Sequence, residues 1–300
     1  MREDAVRPHE PRAARPALID GPVRVAGIAI SHPHRILYSP QGVTKHELAR
    51  YYEQVADVML PHVAGRPLTL VRCPEGQGQA CFYQRHAGPS RWVTANTPQA
   101  LVTLVQMGVL EVHPWGARTE DLEHPDRLVM DLDPGEGVSW AQVVAGARTL
   151  KRMLAAHDLE AFVKTTGGRG LHVVVPLARG AHEWPEVHAY AHLLAARMSR
   201  GEPERYVAIP GKEHRVGKIF VDYLRNARSA TAVAAYSSRA RPGATVSMPV
   251  AWSALPKIDP EALTVRSVLT ALARRRIDPW ARIDRVQQRL TASMVTDLER

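Results

Sequence analysis

Apolar residues recur along this chain in two rhythms, and the places where one gives way to the other mark its predicted elements. Leu48, Tyr51, Tyr52, Val55 and Met59 fall three or four apart, which is one face of a helix. Thr44-Lys45-His46-Glu47 ahead of them has the form of a capping box, and Pro61 is expected to close the helix. Shorter runs with strand character occupy residues 23–30, 68–72, 80–84 and 109–113, the second and third separated by the turn Glu75-Gly76-Gln77-Gly78. A helix is predicted from Pro98 to Met107, ending at Gly108, and another from Trp140 to about His157, capped by Ser139. Between them Arg127-Leu128-Val129 runs into Met130-Asp131-Leu132-Asp133-Pro134. Residues 161–165 and 171–176 read as strands joined by Thr166-Gly167-Gly168-Arg169-Gly170. A helix follows over 184–198, then strands over 205–209, 217–224 and 231–237, and helices near 263–275 and 279–298. Strands and helices interleave without regular alternation, which predicts an α/β fold of mixed α+β type rather than a barrel.

Length and composition narrow this only a little. The chain has 300 residues, 45% of them hydrophobic, enough for a packed core. Residues 1–24 mix charges with Pro8, Pro11, Pro16 and Pro22 and read as a disordered basic arm. Residues 25–300 read as one domain, with a subdivision near residue 120. No apolar run approaches the ~18–20 residues of a membrane span, and the amino terminus lacks a secretory apolar core. Cys73 and Cys81 fit no zinc spacing and are expected to be two half-buried, reduced strand thiols.

Charge says more. The net charge is +9, yet the first 150 residues carry 15 Lys+Arg against 16 Asp+Glu, while the last 150 carry 24 against 14. A basic half beside clustered acids suits a polyanion held by one part and metals by another. On a strand, Asp131 and Asp133 project from one face, and two acids that close repel unless something positive sits between them. Asp222 lies alone in a second apolar run. Three carboxylates from two strands are what a pair of divalent metals requires for phosphoryl or nucleotidyl transfer, although solvated strand ends would read the same way.

The turn at Thr166, Gly167, Gly168, Arg169 and Gly170, followed by His172, has glycines that let backbone N–H groups face an anion and an Arg to add charge. It is not a Walker A loop, and such turns also arise for geometric reasons alone. Lys218 and Arg225 flank Asp222, with Arg215 and Arg228 beyond them, and Arg239 and Arg241 alternate at strand spacing. All suit a triphosphate or a nucleic-acid backbone, or else a solvated basic edge. His113 precedes Pro114 at a strand end. Phe82 and Tyr83 offer rings for base stacking or for the core. Arg35 and Lys45 suit a phosphate or plain solvent. His182 and His188 bracket Glu183 without the spacing of a zinc peptidase.

Taken together, Met130-Asp131-Leu132-Asp133-Pro134, Thr166-Gly167-Gly168-Arg169-Gly170-Leu171-His172 and Arg215-Val216-Gly217-Lys218-Ile219-Phe220-Val221-Asp222-Tyr223-Leu224-Arg225-Asn226 resemble the polymerase domain of bacterial ATP-dependent DNA ligase D, of the archaeo-eukaryotic primase superfamily. The resemblance extends to Phe82-Tyr83-Gln84-Arg85-His86, Gln106-Met107-Gly108 and Val233-Ala234-Ala235-Tyr236-Ser237. It implies a primase-polymerase core with two β-sheets flanking an active-site cleft. It also implies nucleotidyl transfer onto DNA 3′ ends, with ribo- or deoxynucleoside triphosphates, in non-homologous end joining. By position, Asp131, Asp133 and Asp222 would hold two Mn2+ or Mg2+ ions. Thr166, Gly167, Gly168, Arg169 and His172 would hold the triphosphate, with Lys218, Arg225, Arg239 and Arg241 near the nucleotide and His113 in the catalytic site. Phe82 would stack, and Arg35 and Lys45 would grip a 5′-phosphate on the DNA. The implied partners are DNA ends, Ku and a ligase, in a cytoplasmic, nucleoid-associated setting. Arg169 and Arg35 stand where the family often has Lys, and the connection from His86 to Pro98 is short for an end-bridging loop. A metal-dependent nuclease or phosphodiesterase and a non-catalytic DNA-end-binding module are the alternatives.

Overall fold

The computed structural model describes residues 23–89, 91–211, 213–274 and 277–300, so residues 1–22 of the expected arm lie outside it. Where the sequence predicts one strand over 23–30 there is a hairpin, Val23–Val25 (β1) and Ile28–Ile30 (β2), because Ala26 and Gly27 both turn through positive φ. Ile36–Tyr38 (β3) pairs with Val43–Thr44 (β4) and leads into helix Lys45–Gln54 (α1). The capping box forms: Thr44 Oγ1 accepts from Glu47 N at 3.2 Å and Glu47 Oε2 from Thr44 N at 3.0 Å. Pro61 does not close this helix. The chain breaks earlier, at Val55, and Ala56–Val63 (α2) carries Pro61 in its last turn. The carbonyl that Pro61 leaves without an intrahelical N–H donor belongs to Asp57, an exposed residue.

Leu68–Arg72 (β5), Phe82–Gln84 (β6) and, after the short pair His86–Gly88 (β7) and Arg91–Trp92 (β8) and helix Pro98–Gln106 (α3), Val109–Pro114 (β9) supply an antiparallel three-stranded sheet in the order β6-β5-β9. Its register overturns the expectation of two reduced thiols. Arg72 pairs with Phe82, so Cys73 and Cys81 stand opposite at the next position, with Cα atoms 4.3 Å apart, and form a disulfide. Facing geometry outweighs the argument from cellular compartment.

The larger sheet is built from Arg127–Pro134 (β10), Phe162–Thr165 (β11) and Leu171–Pro176 (β12), with helix Trp140–Ala156 (α4) between the first two. Helix Trp184–Gly201 (α5), Tyr206–Val207 (β13), Ile219–Asp222 (β14) and Pro249–Val250 (β15) complete it, in the strand order β13-β14-β10-β12-β11-β15. All its neighbours are antiparallel except β13 and β14. The strand predicted over 205–209 is thus only two residues long. Residues 231–237 run beside β9 without a ladder, because Tyr236 turns through φ 66° and the Ser237 hydroxyl takes the Val112 N–H at 2.9 Å. Ser267–Arg274 (α6) is shorter than predicted. The helix expected over 279–298 is a 3-10 turn at Ile283–Arg285, an extended stretch, then Ala292–Glu299 (α7). The stretch is pulled out straight by Gln288, whose side-chain amide bonds Glu160 N, Glu160 O and Pro176 O.

Two cores result. Leu128, Met130 and Leu132 point to one face of the large sheet, where Val173, Val175 and Val221 join them under α4 and α5. The opposite face is divided. Val129, Val174 and Phe162 enter the first core, which holds residues from Val25 to Val112 and is closed by residues from Ala234 to Ile283. Further along the same face the residues turn polar, and there the cleft begins.

The disulfide gives a direct test. Alkylation of the folded protein without reductant should leave both cysteines unlabelled by mass spectrometry. Reduction should lower unfolding stability by roughly 2–3 kcal/mol, as expected for a short closed loop.

Candidate active site

Registry across four strands sets the site. Asp131 on β10 lies opposite His172 on β12 and opposite Asp222 on β14, and His172 lies opposite Lys164 on β11. Lys164, His172, Asp131 and Asp222 therefore form one transverse row on one face. Asp133 follows two residues along β10, on the same face. Like charges directly opposite one another are unfavourable in a sheet, and Arg225 answers this. Its guanidinium is 2.9 Å from Asp222 and 3.4 Å from Asp131. The short 3-10 turn Leu224–Asn226 returns Arg225 to the acids, and Asn226 locks the turn by bonding both backbone groups of Val129 at 2.7 and 2.8 Å. Asp133 is held by Arg215 at 2.6 Å.

Environment separates the three acids. Burial would raise the Asp131 carboxyl, but His172, Arg225 and Lys164 more than offset this and hold it at about 2. Asp222 is raised by burial and by Asp131, despite Arg225, and Asp133 is raised by burial and Asp131. His172, 3.4 Å from Asp131, is pushed down to about 4 by burial and by Lys164, so it is neutral at physiological pH.

Above the row, a cleft of about 170 Å³ opens between the two sheets. It is lined by His113, Asp131, Asp133, Thr166, Arg169, Gly170, His172, Arg225, Arg239, Arg241 and residues 231–233. The Gly-rich turn joining β11 to β12 forms one wall. Its Thr166 hydroxyl bonds Gly170 O at 3.2 Å and Gly168 N at 3.3 Å. Gly167 has φ +68°, and a Cβ there would lie 2.5 Å from Arg239 Cγ; one on Gly168 would lie 2.6 Å from an Arg241 nitrogen. At Gly167 the positive φ and the backbone of Val246 and Ser247 at 3.1 Å favour glycine, whereas at Gly168 the close atom is the movable end of Arg241.

Residues 44–280 match the family described as LigD, primase-polymerase domain. The chain belongs to this family. It is 40% identical over 296 residues to the multifunctional non-homologous end joining protein LigD of Pseudomonas aeruginosa, covering 92% of this chain and 35% of that protein. The protein of the same description from Mycolicibacterium smegmatis is 33% identical over 270 residues, covering 82% and 34%. Among solved structures, the polymerase domain from Mycobacterium tuberculosis ligase D in complex with DNA superposes with a TM-score of 0.79 at 31% identity, covering 87% of this chain and 99% of that one. The chain spans about a third of the length of these full-length relatives.

For a LigD polymerase domain, the placement of the expected residues is uneven. Asp131, Asp133, Thr166, Arg169, His172, His113, Arg225, Arg239 and Arg241 gather in the cleft, with Asp222 buried beside Asp131. Arg169 is partly anchored away from it, donating to Val138 O at 2.8 Å. Lys218 does not line the cleft; its backbone serves the loop, accepting from Gly135 N. Arg35 and Lys45 lie together elsewhere, Arg35 on Pro74 O and Glu75, buried Lys45 on Ser31, with burial and Arg35 lowering the lysine's pKa. Phe82 is half-exposed on β6 under Arg72. It is Tyr83, paired with Val71 and so with Glu111, that shares the cleft-side face of the small sheet.

As placed, no three His, Cys, Asp or Glu side chains among the described residues converge to hold a metal ion. The donor set is nevertheless all oxygen and suits hard divalent cations. Guanidinium groups supply the positive charge that the facing acids demand. Two residues that sequence reasoning did not single out complete the site: Lys164, buried and donating to Ser247 Oγ at 2.6 Å, and Glu111. Glu111 follows the same every-second-residue rhythm as His113, and that was the only signal available.

Glu111 is held at about 2: burial opposes this, but His113, Arg239 and the Ala240 N–H outweigh it. A folded-state pKa below the ordinary 4.5 adds stability that is present above pH 4.5 and lost as pH falls towards 2. Unfolding free energies measured from pH 5 down to 3 should therefore fall less steeply in Glu111→Gln than in wild type, by on the order of 1–3 kcal/mol across that range.

Proposed function

We propose that this domain is a repair polymerase that transfers nucleotides from ribo- or deoxynucleoside triphosphates to DNA 3′ ends in non-homologous end joining, in concert with Ku and a ligase. The observation that carries this reading is the transverse row of Asp131 and Asp222, with Asp133 beside it, next to a Gly-rich turn of the same sheet in a cleft also lined by Arg169, Arg239 and Arg241. A nuclease needs the acids but not the triphosphate cradle. The family membership and the DNA complex of the related Mycobacterium tuberculosis domain support the same choice.

Asp131, Asp133 and Asp222 would hold Mg2+ or Mn2+, which supplies Lewis-acid activation of the primer hydroxyl and charge neutralisation at the phosphates. The chain's own residues do the rest. Arg239, Arg241 and Arg169 balance the triphosphate and favour the departing pyrophosphate. Thr166 holds the turn in its cradle shape, so backbone donors need no reorganisation when the phosphates arrive. Neutral His172 braces Asp131 without competing for it. Arg225 and Arg215 keep the acids from repelling one another before substrate binds. Arg35 and Lys45, away from the cleft, would grip a 5′-phosphate on the downstream DNA strand.

Primer extension with labelled ribo- and deoxynucleotides tests the reading. Asp131→Ala should reduce extension to below roughly one-hundredth of wild type while DNA binding persists; extension at the wild-type rate would sink the assignment. Loss of Arg35 and Lys45 together should weaken binding to gapped DNA about tenfold when a 5′-phosphate is present and hardly at all when it is absent.

A further inference from the structure

Glu111 does not itself line the cleft, yet it contacts two residues that do. Its carboxylate, only 6% exposed as a residue, lies on β9 two positions before His113. Oε2 is 2.7 Å from His113 Nε2 and 3.1 Å from Arg239 Nε, and Oε1 accepts from Ala240 N at 2.8 Å. A buried carboxylate is stable only when paired and hydrogen-bonded, and here two of its partners, His113 and Arg239, line the cleft, while the third, Ala240, follows Arg239 in the chain. Arg239 then reaches across to donate to Thr166 O in the Gly-rich turn of the other sheet, where Thr245 Oγ1 also bonds Gly167 O at 2.5 Å. The contacts of Glu111 with Arg239 and Ala240 join sequence positions more than a hundred residues apart, brought together only by the fold.

We propose that Glu111 is a positioning residue for the nucleotide cleft, its one carboxylate fixing the His113 ring and the Arg239 guanidinium together and, through Arg239, tying the Gly-rich turn to the three-stranded sheet. This rests on the reading of the cleft as a triphosphate site. A carboxylate on Nε2 selects the tautomer that carries its proton there, leaving Nδ1 of His113 as an acceptor. It also holds the Arg239 side chain along the cleft wall instead of leaving it free to sample many rotamers, so less ordering is required when phosphate binds.

The test combines calorimetric titration of a nucleoside triphosphate with a long-range 15N–1H histidine spectrum of the same chain. In wild type the spectrum should show His113 protonated at Nε2; protonation at Nδ1 overturns the proposal whatever the variants do. Glu111→Gln keeps the size and an acceptor for Ala240 N but removes the charge. It should weaken triphosphate binding roughly tenfold to a hundredfold. Its melting temperature, measured alongside, separates this loss from unfolding. In an Arg239→Lys background the same change should cost little further affinity, because the effect runs through Arg239; equal cost in both backgrounds, or wild-type affinity in Glu111→Gln, refutes the role. If wild type itself binds no triphosphate, the reading of the cleft fails, and the tautomer spectrum still decides whether Glu111 sets His113.

Discussion

Two carboxylates set face to face on neighbouring strands repel, and a sheet keeps such a pair only when a cation is held against it. In this domain that requirement organises the surrounding chain. The strand bearing Asp222 turns back at once so that Arg225 lies against both acids, and Asn226 fastens the turn to the backbone of the Asp131 strand. The polar row is placed by what lies beside it. Val129, Val174 and Phe162, one step along the same face, are drawn into the first core. The registry that buries them fixes where Asp131, His172 and Lys164 must stand.

Cations fill a second role around this floor. Arg215 is committed to Asp133, Arg239 to Glu111 and Thr166 O, and Arg225 to two acids. The cleft is therefore rich in positive charge, yet much of that charge is already oriented by acidic or carbonyl partners. Such ordering limits the rearrangement needed to meet an anionic ligand, because side chains that are already fixed lose little entropy on binding.

Local chemistry was legible in the sequence wherever a few adjacent residues determine it. The capping box at Thr44, the helix cap at Ser139, the paired strands around the Gly-rich turn, and the shared face of Asp131 and Asp133 all follow from spacing alone. What escaped depends on distant chain. Glu111 looks like any alternate residue of a strand until Arg239 arrives from far along the sequence. Residues 231–237 have strand composition, but Tyr236 and Ser237 are diverted into contacts with other segments. The Cys73–Cys81 bond is set by hairpin registry, which spacing alone does not reveal.

The first core is finished by late-arriving chain. Tyr51 donates to Tyr236 O at 2.7 Å, Tyr52 meets Ser238 at 3.1 Å, and Trp280 and Ile283 complete the packing. During vectorial synthesis, then, the amino-terminal helices leave the ribosome with an apolar flank that nothing covers until almost the entire domain has emerged. Closing loops of that length is entropically slow. The amino-terminal part of the first core would therefore gain its final rigidity only once residues 234–283 have emerged to pack on it.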